Sequence, residues 1–316
     1  MTISKLVLPF ATLLACSSMV VAEAPNEGDP VVVTGKTQDV VRDEAKSFVR
    51  RTSATPIDGQ YARWKAPVCV KVTGISEENA AFVAGRITGI ATEAGIKVAK
   101  AGCKPNLVVA FAYDANAVSE QLLKREVRTF ESTPLSERPL IYESELPVRW
   151  WYLVDSESSD GIALRQDNAP LLGARIQGGS GNMGNGTLDS VRFSGSYRSS
   201  LIESRVRVKI EGAVVVVDAG RAEGKSLSAV TAYAAMVSLA RVRLGAKSAD
   251  DRSILSLFSG AGAAPSDLSE NDRAFLAALY RVPALRDVKY QEGAIVAEMV
   301  KAITEGSRPG RLGQAL

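Results

Sequence analysis

Between Val68 and Tyr113 two apolar runs bracket one amphipathic helix. VCVKV (68–72) and NLVVAFAY (106–113) have the length and β-branched content of strands. Between them Ser76 reads as an N-cap, with Glu77 and Glu78 placed favourably near the positive helix end. Ala80, Val83, Ala84, Ile87, Ile90, Ala91 and Ala94 recur on one face, and Gly95 fits the stop. Strand, helix and strand make a βαβ unit with a buried sheet. The short run IKVAK (96–100) predicts a further strand. Cys69 and Cys103 lie near the two strands. Their spacing is unlike a CxxC redox pair and predicts one structural disulfide, which closes a loop large enough to stabilise the fold by roughly 3–4 kcal/mol.

The rest of the chain extends this unit. Val40, Val41, Ala45, Phe48 and Val49 predict a helix over 39–53, and Val118, Leu122, Val127 and Phe130 predict another over 115–131. PVRWWYLV (147–154) predicts a strand whose three adjacent aromatics point to both faces. The Gly- and Ser-rich stretch 156–200 reads as a flexible insertion. After it, RVRVKI (205–210) and AVVVVD (213–218), separated by Gly212, predict a pair of strands. Beyond Ser226 the pattern is helical. LSAVTAYAAMVSLA (227–240) is apolar nearly all round, and Ser269 to Asp272 spells a capping box. The expected class is α+β or α/β: a mixed sheet with a βαβ unit and a mainly helical C-terminal part. The expected division is 39–155 as an α/β subdomain and 201–305 as a strand pair with helices, followed by a disordered tail at 306–316.

The sequence contains no histidine. That excludes an HExxH zinc site, a Ser-His-Asp or Cys-His nucleophile pair and any imidazole base. Residues 1–22 read as a signal peptide, with Lys5 before an apolar run and Val20 and Ala22 as the small residues ahead of the cut. Leu13 to Cys16 also spells an approximate lipobox, so acylation at Cys16 and outer-membrane tethering stand as the second route. Removing residues 1–22 takes the net charge from +3 to +2, too small for an electrostatic nucleic-acid footprint. The mature chain has no predicted transmembrane segment. Residues 23–38 read as a mobile lead-in, and Val31 to Gly35 (VVVTG) resembles the TonB-box-like segment through which outer-membrane receptors pair with a partner. An envelope protein is therefore the candidate partner of that segment.

Two motifs resemble nucleotide sites. Gly179 to Gly184 spells GxGxxG without a strand before it or a helix after it, which the dinucleotide fold requires. Ala219 to Ser226 (AGRAEGKS) fits a relaxed phosphate loop between a strand and a helix. On that reading Gly220, Gly224 and backbone amides would cradle phosphates, Lys225 would reach them and Ser226 would hold Mg²⁺. The competing reading has Ser226 capping the next helix and the two glycines turning the chain into it. The polar carboxylates Asp155, Asp160, Asp218, Glu223, Asp250 and Asp251 show no convergent spacing. The sequence predicts no catalytic residue, no metal site and no cofactor.

The segments ARWKAPVCVKVTG, AGCKPNLVVAFAYD and AVVVVDAGRAEGKSLSAVTAYAAMVSLARV resemble a family of uncharacterised exported alphaproteobacterial proteins that begin with a VVVTG-like segment. The final third (226–242, 251–258, 268–280) is similar, more faintly, to a zincin-like domain. That resemblance implies a central helix bearing a metal motif, where this chain has Ala229, Val230, Tyr233 and Ala234. The expectation is a periplasmic, non-enzymatic binding or envelope-associated protein, in effect a pseudo-peptidase. A His-free hydrolase or nucleotide-binding enzyme using Ala219 to Ser226 is the enzymatic alternative.

Overall fold

The computed structural model describes residues 37–54, 56–57, 60–125, 133–158, 204, 206–245, 252–260 and 264–306. Helix α1 (Gln38–Thr52) leads to a two-residue strand, β1 (Arg63–Trp64). The predicted βαβ unit follows as β2 (Val70–Thr73), α2 (Glu77–Glu93) and β3 (Leu107–Ala112), with the strands parallel from Val70↔Leu107 to Thr73↔Ala110. Ser76 caps α2 by accepting from the Asn79 amide, and Gly95 beyond its end takes φ +82°. IKVAK does not become a strand. Val98 makes one isolated bridge to Val68 just before β2, and the chain then turns at Gly102 (φ +78°) toward β3 instead of continuing along that edge.

Helices α3 (Ala115–Arg125) and α4 (Arg138–Tyr142) precede β4 (Val148–Ser158). The two runs read as a strand pair are one strand, β5 (Val206–Asp218). Gly212 does not turn the chain. The pairing with β4 slips between Leu153↔Gly212 and Val154↔Ile210, which leaves Glu211 as the extra residue of a β-bulge. One glycine cannot close a hairpin, and Gly212, whose φ is not positive, continues the extended strand past the bulge.

Strand β5 organises the sheet. β4 runs antiparallel along the whole of one edge, from Val148↔Val217 to Ser158↔Val206. The other edge carries β1 on its amino half (Arg63↔Lys209) and β3 on its carboxyl half (Leu107↔Ala213 to Ala112↔Asp218), both parallel. The order is β4-β5-β3-β2, with β1 in line with β3: a mixed sheet of the expected class. It takes strands from both expected subdomains, and β4 runs to Ser158, three residues into the stretch read as an insertion, because 156–158 pair with 206–208 of β5.

One sheet face is filled. Leu107, Val109, Trp150, Tyr152, Val208, Ile210, Val215 and Val217 are buried there, beneath α2 and helix α5 (Leu227–Leu239). Trp150 Nε1–H donates to the Val242 carbonyl at 3.0 Å, Trp64 Nε1–H donates to Ser238 at 2.9 Å, and Tyr152 Oη accepts from the Val242 amide at 3.0 Å. Helix α5 is buried from Ala229 to Leu239 because it has neighbours on all sides, the outer layer being α6 (Glu270–Arg281), α7 (Val288–Gly306) and α1. The Ser269–Asp272 capping box starts α6 as predicted. No helix among the described residues is long and apolar enough to cross a membrane.

Candidate functional site: a cleft on the second sheet face

Alternation along β4 and β5 sends Arg149, Trp151, Leu153, Asp155 and Glu157 to the second face, with Val216, Val214, Gly212, Lys209 and Arg207 opposite them in turn. Helices α3 and α4 pack over the carboxyl half of this face, where Ala115, Leu123 and Ile141 are buried. The remaining part is a cleft of about 830 Å³. Its floor is Val108, Trp151, Leu153, Gly212 and Val214, and Leu122 of α3 forms one wall. Val108, Leu122, Leu153 and Val214 are only half-buried, so apolar surface faces the opening.

Charged side chains form the opposite rim: Lys65, Lys104, Lys209 and Glu211. Glu157 anchors it from below, with 2% of its residue surface exposed. Lys65 Nζ donates to its two oxygens at 2.7 and 2.9 Å, Arg207 Nη1 lies 3.3 Å away, and Lys209 Nζ lies 3.7 Å away. Burial alone would raise the Glu157 carboxyl, but Lys65, Lys209 and Arg207 outweigh it and hold it below the usual carboxylate range. Burial likewise works against charge on Lys209. Its bonds to Glu211 (2.8 Å) and Asp155 (3.3 Å) outweigh that and leave its ammonium raised. The alternating basic row of β5 is therefore not a bare cationic face, because acids of β4 pair with it across the strands. Beside it on β1, burial and the neighbouring Arg207 lower the Arg63 guanidinium to about 10, against the influence of Tyr280.

The disulfide fixes the wall that carries Lys104. Cys69 and Cys103 are bonded, with Cα atoms 6.1 Å apart. Asn106 Oδ1 accepts from the Cys69 amide at 2.7 Å and its Nδ2 donates to the Pro67 carbonyl at 3.1 Å. Lys104 and Pro105 thus stand on a short loop tied to Pro67 and Cys69, just ahead of β2.

The loop Ala219 to Ser226 lies elsewhere, at the carboxyl ends of β3 and β5. Five of its eight amides are occupied. Ala219 donates to Ala112, Arg221 to Asp218 Oδ1, Ala222 to Asp218, Glu223 to Gly220 and Lys225 to Ala222. Gly224 takes φ +78° as a turn residue, and Ser226 Oγ accepts from the Ala229 amide. This is the capping arrangement, with few amides left to face a phosphate. Asp218 and Asp155 stand at opposite ends of β5's register and do not converge. Ala229, Val230, Tyr233 and Ala234, where a zincin-like helix would hold metal, are all buried in the core. Among the described residues no group of three or more Cys, Asp or Glu side chains is gathered to hold a metal.

Cys16, Val31 to Gly35, Gly179 to Gly184, Asp160, Asp250 and Asp251 lie outside the described residues. Sequence reasoning singled out the Cys pair but not Lys65, Lys104, Leu153 or Glu157. The one available signal was the adjacency of three aromatics in β4, which required one of them to meet the second face. Comparison of the chain with family models, curated proteins and solved structures found no match.

Proposed function

We propose that this chain is an exported, non-catalytic binding protein that takes a small ligand with an apolar body into the cleft on its half-covered sheet. The cleft itself carries the reading. Its volume of about 830 Å³ falls within the range of small-molecule sites, and its mostly apolar floor with a few charged groups at one side has their usual composition. Export is supported by the leader-like residues 1–22 and by a disulfide built into the fold. Binding is favoured over turnover by a sequence without histidine and by rim carboxylates that are each engaged by a lysine: Asp155 and Glu211 by Lys209, and Glu157 by Lys65.

Gly212 provides the test. An added Cβ would sit 3.5 Å from both Leu153 Cβ and the Asn106 carbonyl, which is ordinary contact, and its φ is not positive. The position therefore accepts a Cβ, and the β-branched Gly212→Val, suited to a strand, adds its volume at the floor. The neutral dye N-phenyl-1-naphthylamine is expected to bind the wild-type chain saturably, at one per chain, with enhanced fluorescence. Gly212→Val should lose that binding at an unchanged melting temperature. Equal binding by both proteins, or no saturable binding by the wild type, refutes the reading.

A further inference from the structure

Building on that reading, we infer that the ligand is an amphipathic anion whose apolar body lies on Val108, Trp151, Leu153 and Val214 and whose head group meets Lys104 at the rim. Three ammonium groups and a single carboxylate line the cleft. The carboxylate, Glu211, is already bonded to Lys209 at 2.8 Å, so an incoming cation would find no unengaged acid on the wall. Lys104 is the reverse case. It is exposed, it lines the cleft, and among the described residues it has no acidic partner.

The surroundings do not offset Lys104. Lys65, Arg207 and Lys209 are matched by the acids Asp155, Glu157 and Glu211, so Lys104 carries the excess positive charge at the rim. The apolar floor and the cationic rim are contiguous within one cleft, which matches a ligand with an anionic end and an apolar body. Carboxylate and phosphate monoester heads share this chemistry.

The test displaces the same neutral dye from the full chain with four ligands of one chain length: decanoate, decyl phosphate, decanol and decyltrimethylammonium. One or both anions are expected to bind about tenfold to a hundredfold more tightly than decanol, the scale of one charge-assisted hydrogen bond. Lys104→Gln should remove most of that margin for the anion while leaving decanol and the dye unchanged. Because Lys104 is exposed, its replacement leaves the core intact, and equal melting temperatures verify this. Dye binding with decanol equal to both anions overturns the inference and leaves the binding reading standing, as does tighter binding of the cation. An unchanged anion margin in Lys104→Gln also overturns it. Failure of the dye itself to bind removes the reading and the inference together.

Discussion

Glu157 shows how one buried acid can order a surface. Three cations reach it, Lys65 from just beyond β1 and Arg207 and Lys209 from β5, and its own strand offers Asp155 to Lys209. Because folding lowers its pKa, its stabilising contribution is present above the unfolded carboxylate value of about 4.3 and is lost as pH falls through the folded value. Glu157→Gln is therefore expected to flatten the acid side of the melting-temperature profile below about pH 4.5. At neutral pH it should cost about 1–3 kcal/mol, since Lys65 and Arg207 regain water while Lys209 is left largely covered. Thermal melts of both proteins from pH 3 to 7 test this; parallel profiles would show that Glu157 is not the titrating group.

Among the elements, helices were legible and the long strand was not. Ser76, Ser226 and Ser269 announce their helices because a cap is local chemistry, written within four residues. Strand β5 hides its continuity because Glu211 and Gly212 break the alternation, and only the register against β4 shows them to be a bulge. The disulfide was legible from the spacing of Cys69 and Cys103 about the βαβ unit, whereas the cleft depends on strand order, which pairing across more than a hundred residues determines. Gly74 makes the point from the other side. It takes φ +87°, and an added Cβ would sit 1.9 Å from the Phe111 carbonyl oxygen, so β2 leaves the sheet through a space only glycine fits. Gly74→Ala should cost at least about 1–3 kcal/mol from backbone strain alone, read as a lowered urea midpoint. A midpoint equal to wild type would contradict the tight turn.

At the scale of the whole molecule, a sheet filled on one face and half-covered on the other makes the disulfide matter twice. It closes a loop of 34 positions, worth about 3–4 kcal/mol on the chain-entropy model, and it holds the loop bearing Lys104 and Pro105. Replacing both cysteines with serine is therefore expected to lower the melting temperature and also to weaken decanoate more than decanol at a temperature where both proteins are folded. If the two ligands weaken equally, the bond supports the body of the protein but not its rim.

The seating of β3 between β2 and β5 also has a consequence for how the chain is made. Residues 70–73 and 107–112 can pair with each other early, but their sheet lacks its central member until residue 218 is free to join. Pairings so distant along the polypeptide close slowly. A nascent chain would thus keep its sheet open until about two thirds of it had been made, and would close it only once β5 had joined β3 and β1.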